Sequence, residues 1–198
     1  MARGLNDGPE ALVEAFLVST GIVALAEMGD KTQLLALLLA ARFRKPWPIV
    51  AGIFVATIAN HALAGAVGAW VTTVLGPDVL RWVLGVSFIA MAGWMLIPDK
   101  AEDLDSGDAP RFGVFGTTVV VFFLAEMGDK TQIATVMLAV QYNPYWVVVG
   151  STLGMMLANA PVVWFGDAIT KRVPIRIVHI VSAVVFAALG VAALWPSP

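Results

Sequence analysis

The 198-residue chain contains no cysteine. That excludes disulfides, thiolate metal sites and a cysteine nucleophile, and it leaves the redox compartment unmarked. Charge is scarce as well. Lys and Arg number 12 and Asp and Glu 14, or 13% of the chain, against about 25% in an ordinary soluble domain. A soluble fold needs more polar surface than that. The formal net charge of −2 gives no basic field for nucleic acid. Apolar residues, by contrast, make up 59% of the chain, and mean hydropathy is +0.84. These figures argue against a soluble enzyme and against a disordered chain, and they make the lipid bilayer the expected solvent.

A bilayer core of ~30 Å needs roughly 20 apolar residues per spanning helix. Six spans are predicted, at 11–41, 48–74, 78–97, 112–141, 146–168 and 174–195. The runs lack the alternation of β-barrel strands, so the expected class is an all-α integral membrane protein. The first apolar run is too long for the h-region of a cleavable signal peptide.

The chain is internally duplicated. Leu25-Ala26-Glu27-Met28-Gly29-Asp30-Lys31-Thr32-Gln33 recurs letter for letter at Leu124-Ala125-Glu126-Met127-Gly128-Asp129-Lys130-Thr131-Gln132, an offset of 99 residues. The same offset pairs Trp47 with Trp146 and Asn60 with Asn159. Each copy holds three spans, 1–98 and 112–198, joined by an acidic linker at 99–111. Three is odd, so the second copy is expected to enter the membrane from the opposite side. Loop charge gives an independent test. Arg42, Arg44, Lys45, Lys100, Arg111, Lys171, Arg172 and Arg176 follow spans 1, 3 and 5, while only Arg3 and Arg81 lie on the other side. The positive-inside rule then puts both termini outside the cytoplasm. The expected architecture is two inverted three-helix repeats, an arrangement typical of secondary transporters with a midplane site at the repeat interface.

The two motifs place six ionisable groups near mid-membrane: Glu27, Asp30, Lys31, Glu126, Asp129 and Lys130. Each costs on the order of 3 kcal/mol or more there, and such groups are functional by default when they face a cavity or one another. Glu27 and Asp30 are spaced i, i+3, which on a helix is one face. Spans of 31 and 30 residues would run ~46 Å as straight helices, too long unless strongly tilted or broken, and a break at the Gly-Asp step would free carbonyls as ligands. Thr32, Gln33, Thr131 and Gln132 add neutral oxygens as further candidate ligands. All of these are hard ligands, suited to Mg²⁺, Ca²⁺ or Mn²⁺. Four carboxylates and two lysines sum to −2 when ionised, which one divalent cation or two protons would neutralise. That balance suggests exchange of one for the other. In the competing reading, buried ion pairs merely pin the copies together, and the surplus of acid speaks against it. Lys31 and Lys130 are candidate charge partners of the acids.

The Glu-x-Gly-Asp-(Lys/Arg)-(Thr/Ser) motif, present twice on the first helix of each three-helix copy, resembles the signature of the Gdt1 family. That family is also called uncharacterised protein family 0016 and includes transmembrane protein 165-like and bacterial manganese-exporter types. It is grouped with the lysine-exporter superfamily. The resemblance covers essentially the whole chain. It implies a divalent cation/proton exchanger moving Mn²⁺ or Ca²⁺ out of the cytosol, with both ions and protons as cargo and no resident cofactor. The residues it carries over are Glu27, Gly29, Asp30, Lys31 and Thr32, with Glu126, Gly128, Asp129, Lys130 and Thr131. The short N-terminal tail looks like a bacterial inner-membrane form.

Asn60 and Asn159 occupy equivalent mid-span positions and must find partners; supporting the motif is preferred to direct ligation. His61 follows Asn60, but Ala160 stands at its repeat position, so a proton relay competes with a structural role. Gly65, Gly68, Gly85, Gly93, Gly150 and Gly154 are read as helix-packing positions, and the tryptophans largely as interfacial anchors. Two alternatives to cation exchange are carried. One is an amino-acid or organic-cation exporter, and the other an intramembrane hydrolase using paired carboxylates. A homo-oligomer is compatible with either transport reading.

Overall fold

Proline marks where helices start. Pro9, Pro46, Pro77 and Pro144 each stand in the first turn of a helix, where the missing N–H would have had no intrahelical acceptor. The computed structural model describes residues 8–97, 112–166 and 175–195. In chain order its helices are α1 (Pro9–Glu27), α2 (Lys31–Phe43), α3 (Pro46–Val74), α4 (Pro77–Met95), α5 (Gly113–Glu126), α6 (Lys130–Gln141), α7 (Pro144–Phe165) and α8 (Ile175–Leu194). Helices are the only regular structure among the described residues. The acidic linker at 99–111 and the charges Arg3, Lys100, Arg111, Lys171 and Arg172 lie outside them.

The predicted first span of each copy is two helices rather than one. Residues 11–41 divide into α1 and α2, and 112–141 into α5 and α6. The reason is local. Gly29 and Gly128 take φ of +84° and +79°, a left-handed conformation that costs glycine little and other residues more. The flanking dihedrals repeat almost to the degree, with Met28 at −64°, 117° and Met127 at −66°, 117°. Asp30 and Asp129 cap the following helices at −78°, 166° and −77°, 168°. One nine-residue string folds the same way twice. Five helices, α1, α3, α4, α7 and α8, are long and apolar enough to cross a membrane, and α5 is a shorter apolar helix.

The two copies interlock. α1 lies along α7, and α3 along α5 and α6, so each copy's helices pack mainly on the other's. Close approach requires small residues. A Cβ on Gly154 would lie 2.5 Å from the Thr20 carbonyl oxygen, and one on Gly52 would lie 2.7 Å from the Thr118 Cβ. Thr20 donates to the Gly150 carbonyl at 3.0 Å across the α1–α7 seam. Contacts advance together along both pairs: Gly150 meets Ser19 and Gly154 meets Thr20, while Gly52 meets Thr118 and Asn60 meets Phe123. Both pairs are therefore parallel. Of the glycines expected at packing positions, Gly93 alone has nothing near its Cβ direction. Trp164 packs edge-on to Trp47 with centroids 5.4 Å apart.

α4 and α8 pack along each other, and Gly85 and Gly190 allow the contact. This pair sits against α1 and α6, where Phe88, Met91, Met95 and Phe186 join Ala134, Met137 and Leu138 in one apolar core. Against α2 and α5, the repeat equivalents of α6 and α1, its packing is marginal at most. A second core gathers Leu35, Ala36, Leu39, Ile49, Ile53 and Phe122 around α2, α3 and α5, without α4 or α8.

Candidate metal site

The two breaks meet in the interior. Glu27 and Glu126 are the last residues of α1 and α5, and Asp30 and Asp129 cap α2 and α6. All four are buried. The i, i+3 expectation is thus corrected. Glu27 and Asp30 converge across a helix break, not along one helical face. One carboxylate oxygen each of Glu27, Asp30 and Glu126 lies within 4.8 Å of the others. Oxygens bound to one cation at about 2.1–2.5 Å span comparable distances across it, so the three can share an ion with little movement.

Neighbouring side chains hold these acids in place. Thr32 and Thr131, one residue into the first turn of the next helix, donate to Glu27 Oε1 and to Glu126 Oε2, the latter at 2.9 Å. Asp129 caps its helix by accepting from the Thr131 N–H at 3.5 Å. Gln33 and Gln132 turn backwards. Their Oε1 atoms accept from the Gly29 and Gly128 amides at 3.0 and 2.6 Å, tying each break closed. Gln33 also donates to the Ala158 carbonyl at 2.9 Å, and Gln132 to Asn60 Oδ1 at 3.4 Å.

The asparagines work across the repeat. Asn159 on α7 donates to Glu27 Oε1 at 3.0 Å, and Asn60 on α3 donates to the Phe123 carbonyl of α5 at 3.1 Å. Each copy therefore braces the other's break. The site also retains unused acceptors: Glu27 Oε2, Glu126 Oε1 and the Asn159 amide Oδ1 are buried and accept no hydrogen bond from a described residue. Buried acceptors in low dielectric call for a cation or a proton.

The lysines differ despite identical sequence. Lys31 pairs with Asp129 of the other copy at 3.0 Å and is 29% exposed. Lys130 is 2% exposed, under the end of α4, where its Nζ donates to the Ile97 carbonyl at 3.4 Å and lies 6.0 Å from the Trp94 ring. His61 is buried, and neither of its ring nitrogens bonds to a described residue. Sequence reasoning missed Met155, whose sulphur accepts from the Asn159 amide at 3.0 Å. Its only signal was a position one helical turn before Asn159.

The chain that builds this duplicated, buried carboxylate cluster matches a known family model along nearly its whole length. The model is described as "Divalent cation/proton antiporter GDT1" and matches residues 15–103 and 114–198. The chain belongs to the GDT1 family. It is accordingly an integral membrane protein of a transporter family and not an enzyme, which removes the hydrolase alternative. A Vibrio cholerae protein named "Putative manganese exporter" is 51% identical over 185 residues, covering 92% of each chain. The family's "GDT1-like protein sll0615" from Synechocystis is 26% identical over 203 residues, covering 93% of this chain and 98% of its own. Rice "GDT1-like protein 3" is 27% identical over 219 residues, covering 98% of this chain and 78% of its own. No solved structure matches the chain.

Proposed function

We propose that the protein exports Mn²⁺ from the cytosol in exchange for protons, with Ca²⁺ as a second cation the same oxygen set accepts. The observation that carries the reading is the meeting of Glu27, Asp30 and Glu126 oxygens within 4.8 Å in a buried site drawn from both motifs. Asp129, held by Lys31, completes the acidic set. Thr32, Thr131 and Asn159 orient the acids, and Asn60 braces the α5 backbone before Glu126. Gln33 and Gln132 hold the breaks and stay further candidate oxygens. The name borne by the Vibrio relative favours manganese. The family's description names a divalent cation, which disfavours an amino-acid substrate.

The charge balance gives the coupling. Ionised, the four acids and two lysines carry −2, so one divalent ion or two protons restore neutrality in a medium that penalises net charge. In this reading α5 and α6 together make a sixth crossing beside the five long helices. The parallel packing of α1 on α7 and α3 on α5 supports an inverted repeat, with both termini outside a bacterial inner membrane. Because the copies interlock, they do not rock as separate halves. The α4–α8 pair is the element free to move. It covers α1 and α6 here, and repeat symmetry provides an equivalent seat on α5 and α2, so exchange of seats would expose the site to one side at a time.

The test is flux in proteoliposomes with Mn²⁺, Ca²⁺ and Mg²⁺ across a pH gradient. Mn²⁺ uptake driven by a proton gradient, and lost in Asp30→Asn and Asp129→Asn proteins that still fold, is the expected result. Unchanged flux in both variants refutes the site.

A further inference from the structure

The side chains that donate to Glu27 and Glu126 do so through hard oxygen or nitrogen atoms, and one soft atom lies directly behind them. Met155 on α7 is fully buried, and its Sδ lies 3.0 Å from Asn159 Nδ2. The same nitrogen is 3.0 Å from Glu27 Oε1. The thioether is therefore no more than two hydrogen-bond lengths from a carboxylate of the site. Folding at this place does not demand a methionine, because the repeat-equivalent residue is Ala56, also fully buried.

The Asn159 amide connects sulphur and carboxylate. In this structure its hydrogens face Glu27 and Met155, while its Oδ1 is buried with no hydrogen-bond donor. A cation at Glu27 repels those hydrogens. Half a turn of the amide brings Oδ1 toward the cation and releases the sulphur from its N–H donor. The sulphur is then the polarisable neighbour of the ion. Thioethers contribute little to Ca²⁺ or Mg²⁺ and progressively more to softer ions, in the order that runs from Mn²⁺ toward Zn²⁺ and Cd²⁺.

We infer that Met155 is a specificity-determining residue of the cation site, favouring soft and borderline divalent ions over Ca²⁺ and Mg²⁺ by placing its sulphur beside Glu27. This rests on the reading that the carboxylates bind the transported ion. Leu is close to Met in volume, so Met155→Leu removes the sulphur with little packing change. The experiment compares Mn²⁺, Cd²⁺ and Ca²⁺ flux by the full chain in proteoliposomes, wild type against Met155→Leu. The expected result is a fall of about tenfold or more in preference for Cd²⁺ over Ca²⁺, the size of a lost ligand-shell contact. A smaller fall is expected for Mn²⁺ over Ca²⁺. A merely structural methionine would lower all three fluxes alike, and unchanged ratios overturn the inference. X-ray absorption of Cd²⁺ bound to the purified protein is the second measurement. A sulphur scatterer in wild type that is missing in the variant supports the assignment, and its absence from wild type overturns it. Loss of all divalent flux in the wild type would instead overturn the transport reading beneath it.

Discussion

The Lys31–Asp129 ion pair joins the two copies, and it can be tested as a pair. Its atoms are 3.0 Å apart, with Asp129 5% exposed and Lys31 29% exposed. At an effective dielectric of about 20 the gross attraction is about 5–6 kcal/mol. Desolvation of both groups, lysine entropy and the partial exposure of Lys31 offset more than half of it. A coupling of about 1–3 kcal/mol remains, within the range for contacting residues. The single variants should be unequal. Lys31→Met strands a buried carboxylate, whereas Asp129→Asn leaves a lysine already near an exposed surface and keeps a side-chain oxygen for the Thr131 N–H. Lys31→Met is therefore the more destabilising, and the double variant recovers much of the loss. The assay is thermal unfolding of the four proteins in detergent, at roughly 2–4 °C per kcal/mol for a chain of this size. Mn²⁺ flux is measured in parallel. Flux should be lost in Asp129→Asn and stay lost in the double variant, because neutralising the lysine restores stability but not the ligand. Additive effects on stability, with coupling below about 0.3 kcal/mol, would refute the pairing argument. Return of flux in the double variant would refute the role given to Asp129.

Further outcomes follow from the same geometry. Gly154→Leu should separate α1 from α7, since even a Cβ would sit 2.5 Å from the Thr20 carbonyl; a loss of about 1–3 kcal/mol is expected in thermal unfolding, and an unchanged transition would contradict the close seam. Asn159→Leu should reduce Mn²⁺ flux more than Asn60→Leu, because only Asn159 touches a carboxylate of the cluster, and equal losses would show that the contact to Glu27 is immaterial. The chain has no native cysteine, so single replacements at equivalent positions report exposure cleanly. Met127 is 53% exposed while Met28 is half-buried, so Met127→Cys should react with a thiol reagent faster than Met28→Cys, and a Mn²⁺ gradient should narrow the difference. Rates that are equal from the start, or that ignore the gradient, would argue against α4–α8 exchange.

Much of this was readable before any coordinates. The duplicated string announces one site drawn from both copies, and glycine beside aspartate in an overlong apolar run announces a strong tilt or a break, because both follow from local chain physics. What could not be read was the outcome of tertiary contact. The spacing of Glu27 and Asp30 suggested one helical face, whereas the break turns one acid into a helix end and the other into a cap. Gln33 and Gln132 looked like ligands by type, but their oxygens already accept the Gly29 and Gly128 amides. Asn60 and Asn159 were recognisable as residues needing partners, yet that each would serve the opposite copy depends on α3 and α7 lying across the repeat boundary. Met155 is one apolar residue among many until its sulphur is found on the Asn159 amide.

The two lysines show where repetition stops determining structure. Lys31 and Lys130 sit in identical nine-residue strings with near-identical backbone, yet one is 29% exposed and the other 2%. Nothing local accounts for that difference. It comes from α4, whose end covers Lys130, and from the seat that the α4–α8 pair takes on α1 and α6. If the pair moved to its equivalent seat on α5 and α2, the lysines would exchange environments while the charge of the cluster stayed the same. Ion chemistry would then reside in what the copies share: four acids, two lysines and two threonines. The choice of ion would reside in what they do not share, since Ala56 stands at the repeat position of Met155 and Ala160 at that of His61. A duplicated transporter can thus keep its binding energy constant through the cycle and still treat its two faces differently.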